Sequence, residues 1–527
     1  MTSYDTGNMI TFATNLSSFF KISSLPKLIS SSIFLVKILS LAALTYVLTI
    51  TIYNVFFHPL RKYPGPISHR ITNFYMSYHE ICGRSAYHIR DLHEKYGPTV
   101  RIRPNELSYT DEQAWNDIYG HKSANGTGNL PKDEKNFRPD TNNTVTILNA
   151  NEADHRRLRH IQTPMFSDRA IAAQEEFIIS YCELLTSRLT EKASSSFNTV
   201  DMVLWYTYIT FDILGELAFG ESFNGLESNL LDSWIKSRLL TFKDLIFWTT
   251  SNDFMFPLNK IFYRLSPRDS RDAWARRNEL SDRKISDRVI RNSDSQKIDF
   301  MSHILQHNDE KGMTDAEIQS NARILIIAGS ETSTTLLSGL TYLLLRNRKY
   351  LEEITSLIRT TFPSKKDIAL LELKKLDYLN NIINESLRLY PPVPNGLPRR
   401  TNKGGSVICG EVVPEYTTVS IPIFAANTSP RNWADSMEFV PERWYKDERC
   451  PERYRSDKRK VMQPFSHGPR NCIGKNLAMN EMRMIIAHVL WNFDMELGPN
   501  VMDWKDQRIY ALWEKKPLHV KLYPRKV

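Results

Sequence analysis

Residues 465–474 read Phe465-Ser466-His467-Gly468-Pro469-Arg470-Asn471-Cys472-Ile473-Gly474. A Gly/Pro-broken loop thus carries one cysteine into an apolar helical pattern of Leu477, Ala478, Met482, Ile485, Ile486 and Val489. At a helix N-terminus, free backbone N–H groups and the dipole favour the thiolate, the form that binds metals. A lone cysteine is more often a small core residue, so the loop needs support from elsewhere in the chain. Ala328-Gly329-Ser330-Glu331-Thr332-Ser333 places a glycine, an acid and hydroxyls inside an apolar helical run, where each is locally costly. Such rule-breaking marks functional positions; the alternative is a kink with a solvated acid. Glu385 and Arg388 stand at i, i+3, the spacing of an ion pair. Their flanks Leu387, Leu389, Tyr390 and Pro391 argue burial rather than surface decoration.

These residues need elements to hold them. Thr314 and Glu317 form a capping box that opens a long apolar helix to about Leu345, with 328–333 in its middle. Residues 201–219 are apolar nearly all round and stop at Gly220, which predicts a central buried helix. Residues 85–96 predict a helix capped by Ser85 and stopped by Gly97-Pro98. Residues 100–109 predict a hairpin about Pro104-Asn105. A long polar loop is expected over 119–150, a charged solvated stretch over 267–300, and short strands over 391–416. The fold class is mainly α with small β-sheets, in a single large domain over 67–527 with no internal repeat.

Residues 33–57 are apolar apart from Lys37, near their start, and are long enough to span a bilayer as a helix. With no obvious small-residue cleavage site they read as an uncleaved transmembrane anchor. A polar tail of low order, 1–32, precedes it. A basic hinge, 58–66, follows, with His58, Arg61, Lys62 and Pro64-Gly65-Pro66. Positive charge after a single anchor places the bulk on the cytosolic side, a bias that Lys27 and Lys37 weaken.

The 527 residues carry a net charge of +9, scattered rather than blocked and without a nucleic-acid motif. That balance suits a membrane or an acidic protein partner, and no nucleic acid is expected. The five cysteines are odd in number and widely spaced, which fits a reducing compartment and neither disulfides nor zinc. No GxGxxG follows a strand, so no nicotinamide or flavin site is expected on this chain.

The Cys472 loop resembles the haem-binding signature of the cytochrome P-450 (haem-thiolate monooxygenase) superfamily, Phe-x-x-Gly-x-Arg-x-Cys-x-Gly. Phe465, Gly468, Arg470, Cys472 and Gly474 meet every fixed position. The 328–333 segment is similar to the family motif that crosses the distal face of the haem. By that resemblance Ala328 and Gly329 leave room for substrate and dioxygen, Thr332 positions a proton network and Glu331 feeds it. Glu385, Arg388 and Arg443, the last in a Pro-Glu-Arg-Trp segment, resemble the charged lock that holds the cysteine loop, a structural role. Residues 154–159 resemble the family's Trp-x-x-x-Arg helix, with His155 in place of Trp. This implies that His155 and Arg159 lie near a haem propionate, with Arg470 and Arg399 as further partners. Arg156 and Arg157 read as a solvated or reductase-docking face.

The resemblance covers roughly 33–522. It is closest to fungal microsomal members of secondary metabolism, the group containing isotrichodermin hydroxylase. It implies haem b with an axial Cys472 thiolate, dioxygen, and electrons from NADPH through cytochrome P-450 reductase, with cytochrome b5 as a second donor. Implied too are an endoplasmic reticulum location and a lipophilic small-molecule substrate walled by 119–150, 325–333 and 393–397. The rival readings are a haem-thiolate isomerase, dehydratase or peroxide-driven enzyme, or a non-catalytic membrane haem protein. An intact acid–alcohol pair argues against both.

Overall fold

A computed structural model describes residues 25–121, 128–137, 144–194, 198–228, 232–254, 258–269, 300, 304, 312–499 and 503–526. The chain enters through α1 (Leu25–Ile52), continued by a π-helical turn over Tyr53–Phe57. The helix therefore begins inside what reads as the polar tail, because Pro26 falls in its first turn, where proline is tolerated. Residues 1–24 of that tail lie outside the described residues. From Ser32 to Phe57 the helix is long and apolar enough to cross a membrane, and none of its most apolar window is buried in the protein.

α2 (Ser85–Tyr96) keeps its expected bounds and stops at Gly97, whose φ is +107°. Ser85 does not cap it: the cap position is Arg84, with no side-chain bond, and Ser85 is already the first helical residue. β1 (Thr99–Arg103) and β2 (Glu106–Tyr109) form the expected hairpin. α3 (Glu152–Gln162) is capped by the Asn151 side chain, which accepts from the Asp154 N–H. After α4 (Glu175–Ala193) and the short β3 (Thr199–Asp201) comes α5 (Met202–Phe219). The Asp201 side chain caps α5, and Gly220, left-handed at φ +66°, ends it. Although α5 is apolar enough to span a membrane, most of it is buried, as expected of a core helix. α6 (Asp232–Ser251) leads to a region, 270–299, that lies outside the described residues and holds most of the expected charged stretch.

α7 (Asp315–Arg346) starts with the expected capping box from Thr314 and Glu317. α8 (Asp377–Leu389), β4 (Arg399–Arg400), β5 (Thr418–Ser420), α9 (Lys475–Asn492), β6 (Phe493–Leu497) and β7 (His519–Pro524) complete the frame. One sheet runs β1-β2-β5-β4, with β2 and β5 parallel, and a second runs β3-β7-β6, all antiparallel. Two short hairpins, 406–413 and 509–513, stand apart. The core is helical: α5 lies along α7, which also packs against α8 and α9, so these four helices converge at α7.

Candidate active site

The cysteine loop is tightly specified. The Cys472 N–H donates to the Phe465 carbonyl at 2.8 Å and closes it. Gly468 has φ +74°, and a Cβ there would lie 1.9 Å from the Tyr119 carbonyl oxygen, so only glycine fits. Ser466 is held at φ +60°, a left-handed conformation costly for a side chain. At Gly474 a Cβ would meet only Phe166, at 3.8 Å, so the surrounding protein leaves a cradle there. Protein surrounds Cys472, yet the residue remains accessible. Burial pushes its thiol pKa up, against the Gly474 N–H, Arg159 and Lys475, which pull it down. The helix N-terminus alone therefore does not ionise this sulfur, and a bound cation is what would hold it as thiolate.

α7 is buried along most of its length, but Leu325, Ala328 and Thr332 open along one face at i, i+3, i+7. Thr332 Oγ1 donates to the Ala328 carbonyl at 2.6 Å. Glu331 is buried on the neighbouring face, where its carboxylate pairs with the Lys515 ammonium. Lys515 Nζ also donates to Thr335 Oγ1 at 3.0 Å. The structure thus sets Glu331 and Thr332 on adjacent faces of one helix and brings a lysine to the acid. Gly329 has a packing reason: a Cβ would lie 2.4 Å from Leu214 Cδ1, so α5 and α7 approach this closely only through glycine. Ser333 donates to Glu481 Oε2 at 3.1 Å, and burial pushes the Glu481 carboxyl up to about 8.

Cations gather beside the cysteine loop. Arg399 is 4% exposed, and its Nε and Nη1 have no hydrogen-bond partner among the described residues. Burial pushes it down to about 10. Lys132 donates to the Leu148 carbonyl and is pushed well below its usual value by burial and by Arg399 and Arg470. His155 is buried and pushed down to about 4, first by burial and then by Arg470, Lys132 and Arg159. Arg470 donates to the Ala150 carbonyl at 2.9 Å and reaches Glu152, a half-exposed acid, at 3.5 Å. A buried excess of positive charge with unused N–H donors suits a carboxylate-bearing group, and a cysteine at the same loop suits its metal, so the residues fit a haem. Lys132 was missed from the sequence, where it is one residue of a long polar loop.

Arg159 holds the cysteine loop: its guanidinium donates to the Asn471 carbonyl at 2.6 Å and to Asn471 Oδ1 at 2.8 Å. Arg157 corrects an expectation. It is only partly exposed, and it pairs with Glu317 at 2.6 Å and donates to the Gly312 carbonyl at 2.6 Å, tying α3 to the start of α7. Arg156 stays exposed.

The charged residues of α8 meet as the spacing suggests. Glu385 Oε1 accepts from Arg388 at 2.7 Å, from Arg443 at 3.1 Å and from the Val440 N–H at 2.9 Å. Trp444 Nε1 donates to Oε2 at 2.9 Å. A fourth charge, absent from the sequence reading, joins them: Asp457 pairs with Arg443 and accepts from the Ala434 N–H at 2.8 Å. Both guanidinium groups lie over the Trp433 ring, at 5.2 and 5.8 Å.

A helical core thus carries a cysteine loop and a helix face open along Leu325, Ala328 and Thr332. The family model for cytochrome P450 matches residues 66–522, and the chain belongs to that family, as a monooxygenase. It is 39% identical over 481 residues to cytochrome P450 monooxygenase aclL of Aspergillus oryzae, covering 91% of this chain and 96% of that one. It is 41% identical over 510 residues to cytochrome P450 monooxygenase tpeC of Talaromyces stipitatus, covering 95% and 97%. Averantin hydroxylase of Dothistroma septosporum is 38% identical over 489 residues, covering 92% and 90%. Its relatives are thus fungal cytochrome P450 monooxygenases of secondary metabolism.

Proposed function

We propose that this monooxygenase is membrane-anchored, carries haem b on the Cys472 thiolate, and hydroxylates or epoxidises a lipophilic intermediate of a terpenoid, polyketide or alkaloid pathway. The observation that carries the reading is an accessible thiol two residues from Arg470, in a group of cations that includes the buried Arg399 with two unused N–H donors among the described residues. Cys472 Sγ would hold the iron, while Phe465, Gly468 and Gly474 shape the loop around it. Arg399, Arg470 and His155, with Lys132 beside them, would hold the carboxylates, and Arg159 steadies the loop through Asn471. When bound, the haem supplies one-electron redox chemistry and dioxygen activation. Thr332 Oγ1, on the open face of α7, holds a proton donor in place there, and Glu331 supplies protons to it. Leu325 and Ala328, with 393–397 and the described part of 119–150, wall the substrate and exclude water. α1 anchors the chain in the endoplasmic reticulum membrane with the catalytic domain cytosolic, where a separate NADPH-dependent reductase, with cytochrome b5 as a second donor, meets its basic surface.

The test is metabolite profiling of a deletion strain, with the accumulating intermediate fed back to reductase-containing microsomes. Product formation that requires both dioxygen and NADPH supports the reading; turnover independent of NADPH and reductase favours a peroxide-driven enzyme or an isomerase. Cys472→Ser should abolish the thiolate-type spectrum of the reduced carbonyl complex, and a retained spectrum would show that the ligand is another residue.

A further inference from the structure

Glu331 needs a device to aim it. It and Thr332 are about 100° apart around α7, so the carboxylate does not share the open face by helix geometry alone. Lys515 is that device. Its ammonium, in a side chain only 6% exposed, pairs with Glu331 and donates to Thr335 Oγ1 at 3.0 Å. Thr335 Oγ1 in turn donates to the Glu331 carbonyl at 2.7 Å, so lysine, threonine and acid form one closed unit across a turn of helix.

The lysine is itself rigidly placed. Two residues earlier, Trp513 stacks on Tyr390 with ring centroids 4.2 Å apart and donates to the Pro391 carbonyl at 2.7 Å. One residue later, the Lys516 carbonyl accepts from Trp504 Nε1 at 2.7 Å. Immediately before it, Glu514 pairs with Lys243 of α6 at 2.7 Å, and the Glu514 N–H donates to the Arg508 carbonyl at 2.8 Å. A buried ion pair is a poor source of stability, since apolar side chains of similar volume often do as well. One built with this much bracing, one residue from the open face of α7, has a use in placing the acid.

We infer that Lys515 is a positioning residue that fixes the direction of the Glu331 carboxylate, so that proton supply to the Thr332 face depends on the C-terminal segment. This rests on the reading of Glu331 and Thr332 as proton-supplying residues. The test uses the full-length holoenzyme in reductase-containing microsomes fed with the deletion-strain extract. Peroxide released per NADPH and the solvent isotope effect on product formation are measured for Lys515→Met, Lys515→Arg, Thr335→Val, Glu331→Gln and Thr332→Ala. Misaiming a reacting group by an ångström costs up to about a hundredfold, so Lys515→Met should lower coupling by about tenfold and raise the isotope effect. Lys515→Arg should restore at least half of the coupling, and Thr335→Val should fall between.

If Glu331→Gln uncouples while Lys515→Met, with its carbonyl spectrum intact, does not, the inference is wrong and the proton reading stands. If neither Glu331→Gln nor Thr332→Ala changes coupling, the proton reading itself fails. Should Lys515→Met not load haem, Lys515→Arg and Thr335→Val decide. Loss of coupling in Arg with the spectrum intact, or wild-type coupling and isotope effect in Val, overturns the proposal.

Discussion

Replacing Arg443 by Met strips the buried lock of the charge that two acids share. Among the described residues Asp457 then keeps only the Ala434 N–H, and Glu385 keeps Arg388, Val440 and Trp444. Arg388, Arg443 and Glu385 are fully buried, and the Asp457 side chain is nearly so, so water cannot compensate. Removing one partner of such a pair costs about 3–5 kcal/mol. Asp457→Asn leaves the opposite excess, two guanidinium groups against one carboxylate, while preserving an oxygen for Ala434. The double variant returns the cluster to neutrality. It should be less destabilised than the two single changes together by about 2 kcal/mol, roughly thirtyfold in an equilibrium constant. The assay is the loss of the reduced-carbonyl spectrum of the holoenzyme with time at fixed temperature. The lock must open before the loop releases its ligand, so its free energy enters that rate. Additivity of the three variants within about 0.5 kcal/mol would refute the pairing of Arg443 with Asp457 as an energetic unit.

Gly329→Ala should cost about 1–3 kcal/mol by driving α5 from α7, and Leu214→Ala in the same chain should recover haem-loaded protein. Without that recovery, the glycine serves the open side of α7 instead of its packing. Burial raises the Glu481 carboxyl from the ordinary 4.5 to about 8, so the folded chain keeps a proton that the unfolded chain releases. That contribution is fully present below pH about 4.5 and is lost as pH rises through about 8. Glu481→Gln should flatten the fall in stability over that window without lowering it at the acid end. An unchanged slope in urea titrations at several pH values would show the carboxyl already ionised.

What the sequence reveals is what is decided locally. The capping box of Thr314 and Glu317 and the Gly97 and Gly220 stops each depend on residues a few positions apart, and each appears as expected. The Ser85 cap fails because the chain enters α2 at Arg84 with φ −118° and ψ 8°, and Ser85 has already turned into the helix. The cysteine loop is contiguous, so its parts are legible together. Lys515 is 184 positions from Glu331, and no periodicity connects them. Arg157 reads as solvated among its charged neighbours because Glu317, which pairs with it, is 160 positions away.

Charge balance recovers part of what spacing misses. Glu385, Arg388 and Arg443 alone sum to one excess positive charge, which a fully dry site does not tolerate. The triad therefore demands a second acid before any coordinates are known, and Asp457 is that acid. Among the described residues the same count at α7 closes, with Lys515 paired to Glu331. Beside the cysteine loop it does not close. Lys132, Arg399 and Arg470 lie together with one half-exposed acid, Glu152, paired to Arg470, and Arg399 keeps two donors unused among the described residues. Two buried charge clusters balanced to zero and a third left positive distinguish parts that hold the fold from the part that fits a ligand carrying carboxylates of its own. Neutralising Arg399 with Gln should therefore weaken haem retention far more than it lowers the stability of the haem-free chain. Equal effects on both would mean that this cluster, too, is balanced within the protein.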